Sequence, residues 1–165
     1  MNAKLQFLIS LILPLIPETS LFSFKNKLYT WMGVMLGENV RICSSCRVRG
    51  IGNLKIGSNT WVGHDSRLIS TGMINIGNNV DIAPNVLMTT GTHEIDLVGD
   101  RVAGEGKCED ISIGDGTWIA AGVTILPGSV IGEKTIVAAG AVVKGTFPSR
   151  VIIGGVPAKI IKNLN

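Results

Sequence analysis

Residues 113–144 read IGDGTWIAAGVTILPGSVIGEKTIVAAGAVVK. An aliphatic side chain returns at every sixth position: Ile113, Ile119, Ile125, Ile131, Val137 and Val143. Gly or Ala follows most of them, as in Ile113-Gly114, Ile119-Ala120, Ile131-Gly132 and Val137-Ala138. A period of six matches neither the 3.6-residue helix nor the two-residue alternation of an ordinary strand. It is the mark of a parallel β-helix, in which short strands stack coil upon coil. Toward the N-terminus the beat continues through Ile76, Ile82 and Met88, through Ile56, Val62 and Leu68, and through Leu36, Ile42 and Val48.

Three hexapeptides make one triangular coil, and coils starting at Leu36, Ile56, Ile76, Ile113 and Ile131 give about five of them. The first two coils each carry two extra residues, expected as a bulged corner at Leu54-Lys55 and Ile74-Asn75. The third carries a far longer insertion, TTGTHEIDLVGDRVAGEGKCED, at residues 89–110. It breaks the beat and holds His93, one of only two histidines. A long excursion from a regular solenoid is more often functional than idle. The fifth place of each hexapeptide supports the register: Thr60, Ser66, Val80, Val86, Thr117, Val123, Ser129, Thr135 and Ala141 are all small or β-branched, as a narrow interior requires. Phe147 breaks that rule and is expected to close the last coil. The chain therefore divides into an apolar helical cap at 1–35, an all-β solenoid at 36–148 and a C-terminal tail at 149–165.

Composition narrows the function. Charged residues make up 16% of the 165, and the net charge is +3. No basic tract with interleaved aromatics appears, so nucleic acid is not an expected partner. The run Leu5–Ile16 is interrupted by Gln6, Ser10 and Pro14, and is shorter than the roughly 20 apolar residues that span a bilayer. One or two short helices covering the open end of the solenoid are expected there. Peripheral membrane contact is the alternative, helped by Lys25, Lys27, Tyr29 and Trp31. Cys43, Cys46 and Cys108 are too few and too odd in number for a disulfide framework. In the register Cys46 points inward and Cys43 lies at a corner, so the CxxC spacing predicts diverging side chains and no metal site.

Several stretches carry a family resemblance: Ala83-Pro84-Asn85-Val86, Thr92-His93-x-x-Asp96, Ile113-Gly114-x-x-x-Trp118-Ile119, Leu126-Pro127-Gly128-Ser129, Ala138-Ala139-Gly140-Ala141 and Gly155-Val156-Pro157-Ala158-Lys159. With these motifs the chain resembles the left-handed β-helix hexapeptide acyltransferases, nearest the maltose, galactoside and polysaccharide O-acetyltransferases. The resemblance covers about Leu36 to Lys162. It implies transfer of an acetyl group from acetyl-CoA to a sugar hydroxyl, in surface polysaccharide, capsule or O-antigen synthesis. It also implies a cytoplasmic enzyme, at the inner face of the membrane if the N-terminus contacts lipid, that works as a homotrimer with sites between subunits and no metal.

By the same resemblance His93 is the general base, which suits an imidazole titrating near neutral pH. Asp96, or Glu94 before it, is expected to orient the ring, as a backbone carbonyl also could. The Ala121 N–H corresponds to the donor for the oxyanion. The pantetheine arm is expected along Trp118, Ala120, Ala121, Ala139 and Gly140, with Lys144, Lys159 and Lys162 toward the nucleotide phosphates. His64 and Asp65 are the candidate acceptor residues. There the chain departs from the family's sugar enzymes, which carry Asn at the position of Gly63 and Asp at that of Thr71. An N-acetyltransferase for an amino-sugar nucleotide is the near alternative, and a structural solenoid without catalysis the distant one. A γ-type carbonic anhydrase needs three histidines and this chain has two. A serine acetyltransferase needs a long helical domain ahead of the solenoid.

Overall fold

The computed structural model describes residues 1–165, and the hexapeptide beat folds as a three-sided parallel β-helix. The first face stacks the strands Met35–Leu36, Asn53–Ile56, Met73–Ile76, Ile111–Ile113, Val130–Ile131 and Thr146–Phe147. The second stacks Arg41–Ile42, Trp61–Val62, Asp81–Ile82, Trp118–Ile119, Ile136–Val137 and Val151–Gly155. The third stacks Arg47–Arg49, Arg67–Ile69, Leu87–Thr89, Thr124–Ile125 and Val142–Val143.

Equivalent residues of successive coils pair in register, so the beat becomes three aliphatic ladders. One runs Ile56, Ile76, Ile113, Ile131, Phe147. A second runs Val62, Ile82, Ile119, Val137, Ile153. The third runs Leu68, Met88, Ile125, Val143. Apart from half-buried Phe147, all these side chains are buried. The fifth-place residues are buried too, and their hydroxyls donate to carbonyls of the next coil. Thr60 Oγ1 reaches Gly77 O at 3.0 Å, Thr117 Oγ1 reaches Gly132 O at 3.0 Å, and Thr135 Oγ1 reaches Pro148 O at 3.1 Å. A buried hydroxyl without such a partner would be costly.

Three details differ from the sequence expectation. The extra residues of the early coils do not bulge at Leu54-Lys55 or Ile74-Asn75, because these residues pair in the first face with Leu54 and Ile74 buried. The surplus lengthens those strands to four residues and is taken up in the preceding bends at 50–52 and 71–72. Phe147 does not end the solenoid. Val151–Gly155, inside the expected tail, still pairs in parallel with Ile136–Val137, because Val151 and Ile153 restore the inward aliphatic pattern. Residues Ala158–Asn163 then fold back antiparallel on that strand, giving five full coils and two sides of a sixth.

The N-terminus covers the open first coil with helix α1 (Ala3–Ile12), a 3₁₀ turn at Leu13–Leu15 and helix α2 (Phe22–Trp31). Asn2 caps α1, its side chain accepting from the N–H groups of Lys4 and Leu5. Ile9, Leu13, Tyr29 and Met32 join the solenoid core. Lys25 and Tyr29, expected at the surface as aids to membrane contact, are fully enclosed instead. The Lys25 ammonium donates to Glu18 O at 2.7 Å and Ser44 Oγ at 3.2 Å, and the Tyr29 hydroxyl points at Cys46 O.

The ladders predict where the chain is fragile. Leu68→Ala should lower the stability to urea by about 2–5 kcal/mol, because one rung is deleted between fixed neighbours. Leu97→Ala, on a side chain 82% exposed, should change it by less than about 0.5 kcal/mol. Unfolding midpoints followed by circular dichroism distinguish the two.

Candidate active site

The insertion is an ordered antiparallel arm rather than an irregular loop. Gly91–Ile95 pairs with Ala103–Cys108, and the arm leaves the solenoid where the third face turns into the first. Its base is anchored by the buried Thr90, whose Oγ1 accepts the N–H groups of Thr71 at 2.8 Å and Gly72 at 3.0 Å. Asp110 Oδ1 accepts the Met73 N–H at 2.7 Å on the returning strand. His93 lies opposite Gly106, and a register shift follows between His93 and Ile95. Such irregularities re-aim side chains. The imidazole is exposed and bonds to no other side chain.

Both carboxylates near His93 are committed elsewhere. Asp96 Oδ1 accepts the N–H groups of Val98 and Gly99, each at 2.9 Å. The Gly99 bond first, then that from Val98, holds its carboxyl below the usual range. Asp96 thus shapes the arm's tip, and no bond joins it to His93 within the chain. Glu94 pairs with Lys107 at 3.0 Å, and Lys107 also reaches Glu109 at 3.1 Å.

The residues expected to bind the cofactor lie on a different edge, where the second face turns into the third. There the corners Cys43-Ser44-Ser45, Gly63-His64-Asp65, Ala83-Pro84-Asn85, Ala120-Ala121-Gly122 and Ala138-Ala139-Gly140 stack from coil to coil. Gly122 and Gly140 take left-handed φ values of 70° and 69°, which makes these turns tight. The Ala120 and Gly122 N–H groups donate to Val137 O and Pro84 O, whereas the exposed Ala121 N–H has no partner in the chain. Trp118, 52% exposed, stands on the strand leading into this corner. Ala139 and Gly140 continue the corner column downward, and Lys159, paired with Gly154, ends it three strands below Trp118. At about 4.8 Å per strand the track is ~14 Å long. Lys162 lies farther along the same terminal strand. Lys144 sits on the other corner, beside the arm, with its Nζ 3.9 Å from Glu109.

His64 and Asp65 occupy the corner column two coils above Trp118, and His64 faces the cap. Its Nδ1 lies 3.4 Å from Glu18 Oε2. Sequence reasoning missed Glu18, since nothing local ties it to residue 64. Burial works against the Glu18 charge, but the Ser45 N–H and hydroxyl, with His64 beside them, outweigh it and hold the carboxyl below its ordinary value. Glu18, Cys43 and His64 bring donor atoms within 4.8 Å of one another, a set that could in principle take a metal ion. The enclosed Lys25 ammonium beside them already supplies the positive charge, and burial raises the Cys43 thiol away from its metal-binding form. Cys46 faces the core, where burial pushes its thiol up to about 12. Gly63 leaves no room for a side chain, as an added Cβ would come 2.8 Å from Ala83 C and Ile82 O.

Residues 110–145 match the family described as bacterial transferase hexapeptide (six repeats). The chain is 31% identical over 143 residues to the galactoside O-acetyltransferase of Escherichia coli K12, covering 86% of this chain and 69% of that one. A Saccharomyces cerevisiae protein named for acetyltransferase activity is 39% identical over 112 residues, 68% of this chain. The chain spans only 57% of that relative's length. The crystal structure of a hexapeptide-repeat acetyltransferase from Vibrio cholerae, complexed with acetyl-CoA, superposes with a TM-score of 0.81 at 25% identity, over 99% of this chain and 87% of that one.

The Glu18 carboxylate gives a pH prediction. A group with a depressed folded pKa stabilises above its unfolded value, about 4.3, and loses that contribution as pH falls through the folded value. Wild type should therefore exceed Glu18→Gln in stability at neutral pH. The difference should shrink as pH falls below about 4.3 and through the lower folded value, as read by thermal melts across the acid range.

Proposed function

The chain belongs to the hexapeptide-repeat acetyltransferases, and from that premise we propose that it moves an acetyl group from acetyl-CoA to a sugar hydroxyl. The observation that carries the reading is the separation of two half-sites. His93 stands on an arm at one edge of the solenoid, and the unpartnered Ala121 N–H lies beside Trp118 at another. Neither half is complete within one chain. A neighbouring copy that brings its arm against this corner column would complete both, and a homotrimer closes such a contact into a ring with three sites. The arm's Ile95, Leu97, Val98 and Val102 are exposed by 64–98%, which supports a partner surface there.

In this reading acetyl-CoA lies along the column, its thioester at Ala121 and its nucleotide toward Lys159 and Lys162. The His93 imidazole takes the proton of the acceptor hydroxyl as the oxygen attacks the thioester carbonyl. The carbonyl oxygen gains charge and is held by the Ala121 N–H. Collapse of the tetrahedral intermediate expels the CoA thiolate, and the imidazolium supplies its proton. No covalent intermediate on the protein is needed, because the thioester is already activated. Within the chain no bond joins His93 to Asp96 or Glu94, and the free Asp96 Oδ2, a backbone carbonyl or a carboxylate from the neighbouring copy would orient the imidazole. The galactoside named for the relative supports a sugar as acceptor. With His64 held by Glu18, Asp65 is the freer of the two corner residues to meet it. Action in the cytoplasm, in surface-glycan assembly at the inner face of the membrane, belongs to the same proposal.

His93→Ala should keep the fold and the thermal protection by CoA while turnover falls about 10²–10⁴-fold, measured as CoA thiol released with a panel of sugars. Release that survives the substitution would remove His93 from the mechanism. Turnover confined to amino sugars would move the reading to N-acetylation. Ala121→Glu, which blocks the column, should be inactive alone. It should regain part of its activity in mixed oligomers with His93→Ala, as only a shared site allows.

A further inference from the structure

Helix α1 carries its apolar side chains on the wrong side for a helix that only caps a core. Gln6, Ile9 and Leu13 are buried against the solenoid. Phe7, Leu8, Leu11 and Ile12 face away and are 41–62% exposed, and Leu15, in the turn that follows, is 83% exposed. At 100° per residue the four helical positions, with Lys4 one turn before them, fall within an arc of about 140° opposite the buried side. From Lys4 to Leu15 this stripe is ~17 Å long.

We propose that this stripe rests in the surface of a membrane bearing anionic headgroups, which gives the membrane contact in the proposed function its residues and its lipid class. Charge selects this occupant. The first 50 residues hold six Lys and Arg, of which only Lys25 is enclosed, against two Asp and Glu, whereas the remaining 115 hold nine against ten. Of those two acids, Glu18 is engaged by Ser45 and His64. Lys4 sits at one end of the stripe. Exposed Arg47 and Arg49 stand on the strand beneath α1, lining a cavity of about 330 Å³ between helix and solenoid. An apolar helix face with a lysine at its end, carried on a segment of net positive charge, is the pattern of a helix lying in the interface plane. No helix is long and apolar enough to cross a membrane, so the contact is peripheral.

Flotation of the full chain with phosphatidylcholine vesicles, with and without phosphatidylglycerol, tests this. Wild type should float only with the anionic vesicles, less so at high salt. Leu11→Ser with Leu15→Ser should lower binding by about tenfold or more at unchanged melting temperature. Lys4→Glu, also exposed, should weaken it and reduce the salt dependence. Failure to float with either vesicle, or flotation that ignores these substitutions, would overturn the proposal. So would a larger assembly in sedimentation that Leu11→Ser with Leu15→Ser disperses, since that assigns the face to a second copy. Vesicle binding is read without acetyl transfer, so the loss of either result leaves the other standing.

Discussion

Strands two to four residues long would not persist alone; here each is held by the coil above and the coil below. Because neighbouring strands hydrogen-bond at a fixed spacing of about 4.8 Å, a residue can face inward only if its counterparts one coil away do the same. That shared register produces the aliphatic ladders, keeps the fifth place small, and gives Thr60, Thr117 and Thr135 a carbonyl on the next coil to donate to. It also stacks the corners into straight columns. The column of small corners at Ala121, Ala139 and Gly140 is a consequence of this stacking, since two successive coils turn the same way with small residues at the same place.

A stack satisfies its interior coils and leaves its first one bare. The polypeptide answers with a cap whose most enclosed group is a lysine. The Lys25 ammonium sits among carbonyls of the 17–18 turn, the Ser44 hydroxyl and the ring of Phe22, 4.4 Å away. Burial draws its pKa down, so the interactions that fix the cap work against a desolvation cost. A buried cation suits a joint that must have one geometry, because it cannot slide without losing its partners. The Glu18–His64 pair extends the same joint to the second coil, linking the cap to the corner column.

The repeat made most of the architecture readable, because every rung is announced by a residue six places from the last. The reading faltered where distant segments meet. Lys25 and Tyr29 look like surface residues until α2 is laid on the first coil. His64 also pairs with Glu18 from the cap, a contact that nothing local in the sequence announces. Asp96 follows His93 at a suggestive spacing, and spacing alone does not show that one of its oxygens also holds the turn after it. The two extra residues in each early coil cannot be assigned to strand or bend from spacing alone. Pairing of Leu54 with Ile74 decides that they lengthen the strand. Val151–Gly155 escaped because Pro148 and the glycines suggested an ending, while Val151 and Ile153 keep the beat.

The arm shows why a regular solenoid needs an irregular part to do chemistry. The corner recurs from coil to coil, and its middle N–H is free at Ala139 as it is at Ala121, whereas Pro84 one coil above Ala121 has none to offer. Two like donors on successive coils leave the height between them open, so the corners alone do not specify where a reaction occurs. The arm supplies that choice. It leaves the stack at one coil only, is pinned there by Thr90 and Asp110, and carries a single imidazole at its bulged strand. Its root is on a different edge from the Ala121 column, so in the proposed oligomer the height it selects is on a neighbouring copy. In that arrangement the depth of the reacting position along the solenoid is set by how two copies register against each other. Assembly and activity are then tied more tightly than a site contained in one chain would require.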